Sequence, residues 1–270
     1  MPADITAAEA PIPEPQIPEP HIVVRNMDIA YGSFVLIRDL DFTIHRGDIF
    51  IIMGGSGCGK SSLMRQLIGL KRPARGEVLY QGESFWEASE ARRSQLMQRF
   101  GILYQQGALW SSMTLAQNVA LPLSEYTELS RAEISDLVAL KLALVGLAGF
   151  DDYYPSEISG GMRKRAGLAR AMALDPDVLF FDEPSAGLDP ISSKRLDDLI
   201  LELRDSLGAT VVMVTHELPS IFAIANNSVF LDPVSKSMVA SGDPHDLLAT
   251  CQDQRIQDFL TRGGEGPSHE

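Results

Sequence analysis

Residues 54–61 read Gly-Gly-Ser-Gly-Cys-Gly-Lys-Ser. This is the G-x-x-x-x-G-K-[ST] pattern, and it demands a particular backbone on either side. Its glycines let successive N–H groups turn inward as an anion nest. A helix starting near Ser61 adds its positive N-terminal end. The flanks agree with that demand. IFIIM (49–53) is a short continuous apolar run, as expected of a buried central strand. SSLMRQLIGL then has helical apolar spacing at Leu63, Leu67 and Leu70. Within such a loop Lys60 supplies charge to β- and γ-phosphates, and the Ser61 hydroxyl can ligate Mg²⁺. The loop alone does not separate transport ATPases from GTPases or small-molecule kinases.

The rest of the chain alternates strand-like and helical stretches. HIVVRNMDIAYG and the segment from Phe34 to Ile52 read as short strands with turns at 31–32 and 46–47. VLFF (178–181) and TVVMVT (210–215) are further strands, separated by a helix around 191–207. The stretch from about 107 to 175 is mostly helical, with breaks at Pro122, 149–151 and Pro155. This order predicts an α/β domain with a mainly parallel sheet and an inserted helical subdomain. The domain is expected over 21–262. A Pro/Glu-rich, disordered tail is expected over 1–20, and a flexible tail over 263–270.

Composition narrows the class. The 270 residues carry a formal net charge of −13, which disfavours general nucleic-acid binding. Two distant cysteines, Cys58 and Cys251, form neither a metal-ligand pattern nor a disulfide framework. No apolar run approaches the roughly 20 residues of a membrane span. No signal peptide is expected. A membrane role would therefore need a partner to hold the chain.

Two more segments carry chemistry. In VLFFDEP (178–184) an apolar strand delivers Asp182 to the sheet's carboxyl edge, where α/β folds bind ligands. Asp182 is placed to hold a Mg²⁺ shell and Glu183 to orient an attacking water. Taken alone, the same pattern also fits an acidic turn. Ile158-Ser159-Gly160-Gly161-Met162 forms a second anion-binding helix start, or an ordinary one.

The order of phosphate loop, glutamine, S-G-G, Asp-Glu and histidine resembles the ABC ATPase family over nearly the whole folded chain. The resemblance implies a P-loop ABC fold with a mainly parallel core sheet, an antiparallel β subdomain and an inserted helical subdomain. It implies that Gly54, Gly55, Ser56, Gly57, Cys58, Gly59, Lys60, Ser61 and Ser62 hold the phosphates of ATP. Tyr31 would stack on adenine, and a lone turn aromatic would otherwise cover a core edge. Gln105, rather than Gln106, would sense Mg²⁺ and water, and His216 would reach the γ-phosphate. Residues 185–189 would cross a dimer interface. Ser159, Gly160 and Gly161 would close over ATP held by a second subunit, so a homodimer with two composite sites is implied. Met162 stands where the family usually has Gln. Cys58 reads as a small loop residue, or as a thiol that ATP protects.

A finer similarity is to the Mla-type ATPases, which pair with MCE proteins and move phospholipids between bacterial membranes. It rests on 106–110, 118–123, 125–127, 158–176 and 181–193, with Met162-Arg163-Lys164-Arg165 the most telling. It implies a membrane permease, an MCE-type lipid-binding protein and room for a small accessory subunit. It also implies a seat on the cytoplasmic face of the bacterial inner membrane, and a permease-receiving groove at 109–127. The alternatives are an ABC ATPase for another cargo, a small solute or lipoprotein, and a non-transport ABC ATPase. The second would need a coiled-coil insertion, a second cassette or basic surfaces, which the sequence lacks.

Overall fold

The computed structural model describes residues 19–105 and 107–261. The tails expected at 1–20 and 263–270 lie outside these residues, apart from Glu19 and Pro20. Pro20 already opens the first strand, and the Glu19 carbonyl accepts the Arg46 N–H at 2.9 Å.

The chain starts with two long antiparallel strands, β1 (Pro20–Tyr31) and β2 (Phe34–His45), which pair from Tyr31–Phe34 to Pro20–His45. They are 12 residues each, not the short pieces their turns suggested. Next come β3 (Ile49–Gly54), α1 (Lys60–Leu67), β4 (Arg75–Tyr80), β5 (Glu83–Ser84), α2 (Glu90–Gln98) and β6 (Phe100–Leu103). The inserted helices are α3 (Leu115–Tyr126), α4 (Arg131–Leu144), a 3₁₀ turn (Pro155–Glu157) and α5 (Gly160–Ala171). The core resumes with β7 (Val178–Asp182), α6 (Pro190–Leu207), β8 (Thr210–Val214) and α7 (Leu218–Ile224). It ends with β9 (Asn227–Asp232), β10 (Ser237–Ser241), α8 (Pro244–Thr250) and α9 (Gln254–Thr261).

All ten strands among the described residues join one sheet, in the order β5-β4-β1-β2-β10-β9-β3-β8-β7-β6. The run β9-β3-β8-β7-β6 is parallel, and β5-β4-β1-β2 is antiparallel. The fold is therefore the expected α/β arrangement with an antiparallel β layer beside a parallel core.

Strand periodicity explains the two-sided burial. On β3, Ile49, Ile51 and Met53 enter one apolar cluster, while Phe50 and Ile52 enter another. The same alternation sends Leu179 and Phe181 one way and Val178 and Phe180 the other. One cluster is closed by α3–α7. The other is closed by α1, through Leu63 and Leu67, and by the antiparallel strands. Because α1 lies under the sheet on this second face, the loop before it must cross the carboxyl end of β3.

The C-terminal strands were not foreseen as part of the sheet. β10 pairs with β9 and touches β2 at Ser237–Arg38, so it joins the two halves. Phe259 of α9 meets Phe230 edge-to-face with ring centroids 5.2 Å apart, and Ile256 and Leu260 are buried.

The insertion is held by local chemistry. Thr114 with Gln117, and Ser130 with Glu133, form reciprocal capping boxes at α3 and α4. Asn118 is fully buried and uses both ends of its amide. It accepts the Trp110 N–H at 2.8 Å and donates to the carbonyls of Trp110, Met113 and Thr114 at 3.1, 3.2 and 2.9 Å. The segment 110–114 thus depends on one side chain. Asn118→Ala should destabilise the protein by about 2–4 kcal/mol, since it strands several buried polar groups. Denaturant unfolding measures this, and a loss below half that range would mean that water replaces the amide.

Candidate active site

The phosphate loop is built on positions that only glycine tolerates. Gly54 has φ +141°, and a Cβ there would meet the Leu231 carbonyl oxygen at 2.3 Å and Cys58 Sγ at 2.7 Å. Gly59 caps α1 at φ +99°, where a Cβ would run into Ile37 at 2.7 Å. The N-cap thus carries no side chain between the helix N-terminus and the loop. Lys60 arches back across the loop, and its ammonium donates to the carbonyls of Gly54 and Gly55 at 2.7 and 3.0 Å.

Beside the loop, β7 delivers Asp182 and Glu183. Burial pushes the Asp182 carboxyl up, and the Arg65 and Lys60 charges oppose that rise. Asp182 therefore feels the charges of α1, as a carboxylate beside the phosphate loop should. Glu183 has φ +50°, an unusual conformation for a side-chain-bearing residue. Its N–H is tied to the Val214 carbonyl at 2.9 Å, one strand away. Its carboxylate Oε1 lies 2.9 Å from His216 Nδ1, while Oε2 is buried with no hydrogen-bond partner. A buried carboxylate oxygen without a partner has an acceptor position to offer.

Tyr31 reaches this region from the antiparallel layer. Its hydroxyl lies 3.0 Å from Ser62 Oγ, and the Lys71 ammonium sits 3.1 Å from the ring centroid. The ring is 44% exposed. Gln105 follows β6, exposed, at the junction with the helical insertion. Gln106 lies outside the described residues. Cys58 is 2% exposed, and burial pushes its thiol up, which fits a small packing residue better than a reactive one.

The S-G-G element sits elsewhere. Ser159 caps α5 by accepting the Met162 N–H at 3.2 Å. Ser159 and Gly161 line a cavity of about 390 Å³ with residues of α4 and α6, and no phosphate-loop residue lines it. This cavity therefore does not join the S-G-G element to the phosphate loop.

Sequence reasoning missed how α5 is fastened. Arg163 donates to the Ile158 carbonyl at 2.8 Å and Arg165 to that of Val145 at 2.9 Å. Lys164 donates to the Ala186 carbonyl at 2.5 Å. Arg170 donates to the carbonyls of Ala108 and Gly107 at 2.7 and 3.1 Å, holding the backbone that follows Gln105. That backbone lies so close to α5 that a Cβ on Gly167 would meet the Gly107 carbonyl at 2.9 Å. The one available signal was the density of basic residues on α5, which reads equally as a solvated face.

Residues 37–186 match the family described as ABC transporter. The chain is 40% identical over 246 residues to Probable ribonucleotide transport ATP-binding protein mkl of Mycobacterium tuberculosis, covering 91% of this chain and 68% of that protein. It is 40% identical over 244 residues to Intermembrane phospholipid transport system ATP-binding protein MlaF of Escherichia coli, covering 90% of each. A dimeric ATP-binding cassette, solved in a post-hydrolysis state with ADP and Pi, superposes with a TM-score of 0.74 at 25% identity, covering 82% of this chain and 98% of that one. The chain belongs to the ABC transporter family. Members of that family are nucleotide-binding ATPases, and this chain is one.

A second carboxylate near the site has a marked shift. Asp197 on α6 lines a cavity of about 450 Å³ with Ser185 and Glu217. Its pKa is pushed up to about 6, chiefly by burial and further by Asp198, against the hydrogen bond donated by Ser220 at 2.8 Å. A raised carboxyl penalises the fold where it is ionised, above about pH 6, and the penalty vanishes towards the unfolded value of 3.8. Asp197→Asn should therefore be more stable than the parent at pH 8. Discounted for solvent in the cavity, the gain is about 1–2 kcal/mol and shrinks as pH falls from 6 to 4. Chemical denaturation at pH 8 and pH 4 reads both values, and an equal gain at the two would refute the assignment.

Proposed function

We propose that this chain is the ATP-hydrolysing subunit of an ABC transporter that drives phospholipid movement between bacterial membranes. The observation that carries the reading is the Glu183–His216 pair at 2.9 Å beside the phosphate loop, with the S-G-G element on a different surface. A complete site then needs two copies of the chain, related by a two-fold axis. The dimeric form of the ATP-binding cassette with TM-score 0.74 supports that arrangement.

In this reading Gly54–Ser61 and Ser62 hold the phosphates and Tyr31 covers the adenine. Glu183 orients the attacking water and accepts its proton, while His216 fixes the Glu183 carboxylate and faces the γ-phosphate. Gln105 reports on the same place. Ser61, Gln105 and Asp182 offer the hard oxygen donors that suit Mg²⁺, which binds through one or two carboxylates with phosphate oxygens. When bound, Mg²⁺ would neutralise charge on the β- and γ-phosphates. Ser159, Gly160 and Gly161 of the second copy close over the nucleotide. ATP thereby holds the halves together, and hydrolysis releases them as a population shift.

The same reading proposes one domain over 21–262, with the helical subdomain at about 107–175. No helix of the described residues is long and apolar enough to cross a membrane. A permease would therefore hold the subunit at the cytoplasmic face of the inner membrane. Its docking place is a groove of about 530 Å³ between β6, α3 and α5, lined by Tyr104, Leu121, Glu125 and Tyr126. An MCE-type lipid-binding protein, with room for a small accessory subunit, completes the assembly. Phospholipid as cargo follows the E. coli relative. The M. tuberculosis relative, a probable ribonucleotide transport protein, makes a ribonucleotide the second reading.

Two measurements test this. Glu183→Gln should bind ATP and dimerise, with turnover lowered about 10²–10⁴-fold; ordinary turnover in that variant would end the assignment. Native purification with mass spectrometry should recover a permease, a lipid-binding partner and phospholipid. Recovery of a nucleoside-binding partner without lipid would transfer the cargo to the second reading.

A further inference from the structure

Lys164 carries a charge that none of the roles above uses. It lies three residues past Gly161 on α5 and is 7% exposed. Its ammonium donates to the Ala186 carbonyl at 2.5 Å. The N–H of the same residue, Ala186, donates to the Glu183 carbonyl at 3.2 Å. One residue is thus gripped from both sides, by the signature helix and by the catalytic glutamate's own backbone. Leu188 of the same loop lines one cavity with Ser159 and Gly161. Within the loop the Leu188 N–H donates to the Ser185 carbonyl at 3.0 Å. Ser185 Oγ is buried without a partner. Burial works against the Lys164 charge, and the carboxylates of Glu183 and Glu217 favour it. A buried cation bonded to the Ala186 carbonyl is poorly explained as a solvated face residue.

We propose that Lys164 is a positioning residue that joins the two composite sites through one chain, passing the seating of Ser159–Gly161 on the partner's ATP to the loop that places Glu183 for its own. The proposal rests on the ATPase-subunit reading above. The physical basis is the stiffness of the link. A helix moves as a body, and a charge-assisted hydrogen bond in a low-dielectric setting loses strength steeply with distance. Glu183, at φ +50°, depends on the surrounding loop for its geometry. A shift of α5 therefore reaches the catalytic carboxylate with little loss on the way.

The test uses the full chain in its purified complex and compares Lys164→Met, Lys164→Arg, Ser159→Ala and the Ser159→Ala/Lys164→Met double variant. Turnover at saturating ATP and the Kd of a non-hydrolysable ATP analogue are read separately. Lys164→Met should lower kcat about tenfold or more, the scale of a small misplacement of a catalytic group, with Kd within about twofold. Lys164→Arg keeps the cation and its donors and should restore most of the loss. If the signature acts through Lys164, the double variant should be no slower than the slower single variant, whereas independent effects would multiply. Unchanged kcat in Lys164→Met, no rescue by Arg, or multiplying losses would each overturn the proposal. Should Lys164→Met fail to fold, Lys164→Gln replaces it under the same criteria. Absence of ATP binding and turnover in the unaltered complex would instead overturn the ATPase-subunit reading itself.

Discussion

A parallel sheet that is apolar on both faces must be covered on both faces, and most of this molecule follows from that requirement. The strands β3, β7 and β8 carry large apolar side chains at odd and even positions alike. No polar group can sit on either face without losing its water. Functional groups are therefore confined to the carboxyl ends, where the strands stop and the backbone turns. Gly54, Asp182 and the residues after Val214 are such ends. The register of β7 on β8 brings Asp182 opposite Val214 and ties the Glu183 N–H to the Val214 carbonyl. The place of Glu183 beside His216 thus begins with sheet pairing.

The second organising element is α5. One short helix caps its own start with Ser159 and grips three other segments with basic side chains. Each of those bonds ends on a backbone carbonyl. A carbonyl clamp fixes the path of a loop without depending on the loop's side chains. This suits residues such as Gly107, Ala108 and Ala186, whose side chains are small or absent. Gly167 and Gly107 let the backbones approach closely enough for the clamps to reach.

Much of the site was legible in the residues because it is local. A glycine loop between an apolar run and a helix, or an Asp-Glu pair ending a strand, is decided within about ten neighbours. The Mla-like segment at 158–176 was equally visible, but its physical content was not. Lys164 and Arg170 look like surface charges, and only the packing of α5 against the sheet edge buries the first and half-buries the second. The position of β10 was hidden for a similar reason: its residues, half-exposed up to the exposed Ser241, show no strong alternation, and its place is set by β9 and β2.

The sequence by itself determined the phosphate loop, the order of strands and helices, the acid and the histidine, because each depends on near-neighbour geometry or on strand periodicity. The tertiary structure decided the rest. It set the 2.9 Å contact of Glu183 with His216 across 33 residues, and it left the S-G-G element in a cavity that holds no phosphate-loop residue. It also turned Lys164 from an apparent surface charge into a buried tie. Those outcomes depend on which segments the two-sided burial of the sheet forces together, and that is a property of the whole chain's packing rather than of any stretch within it.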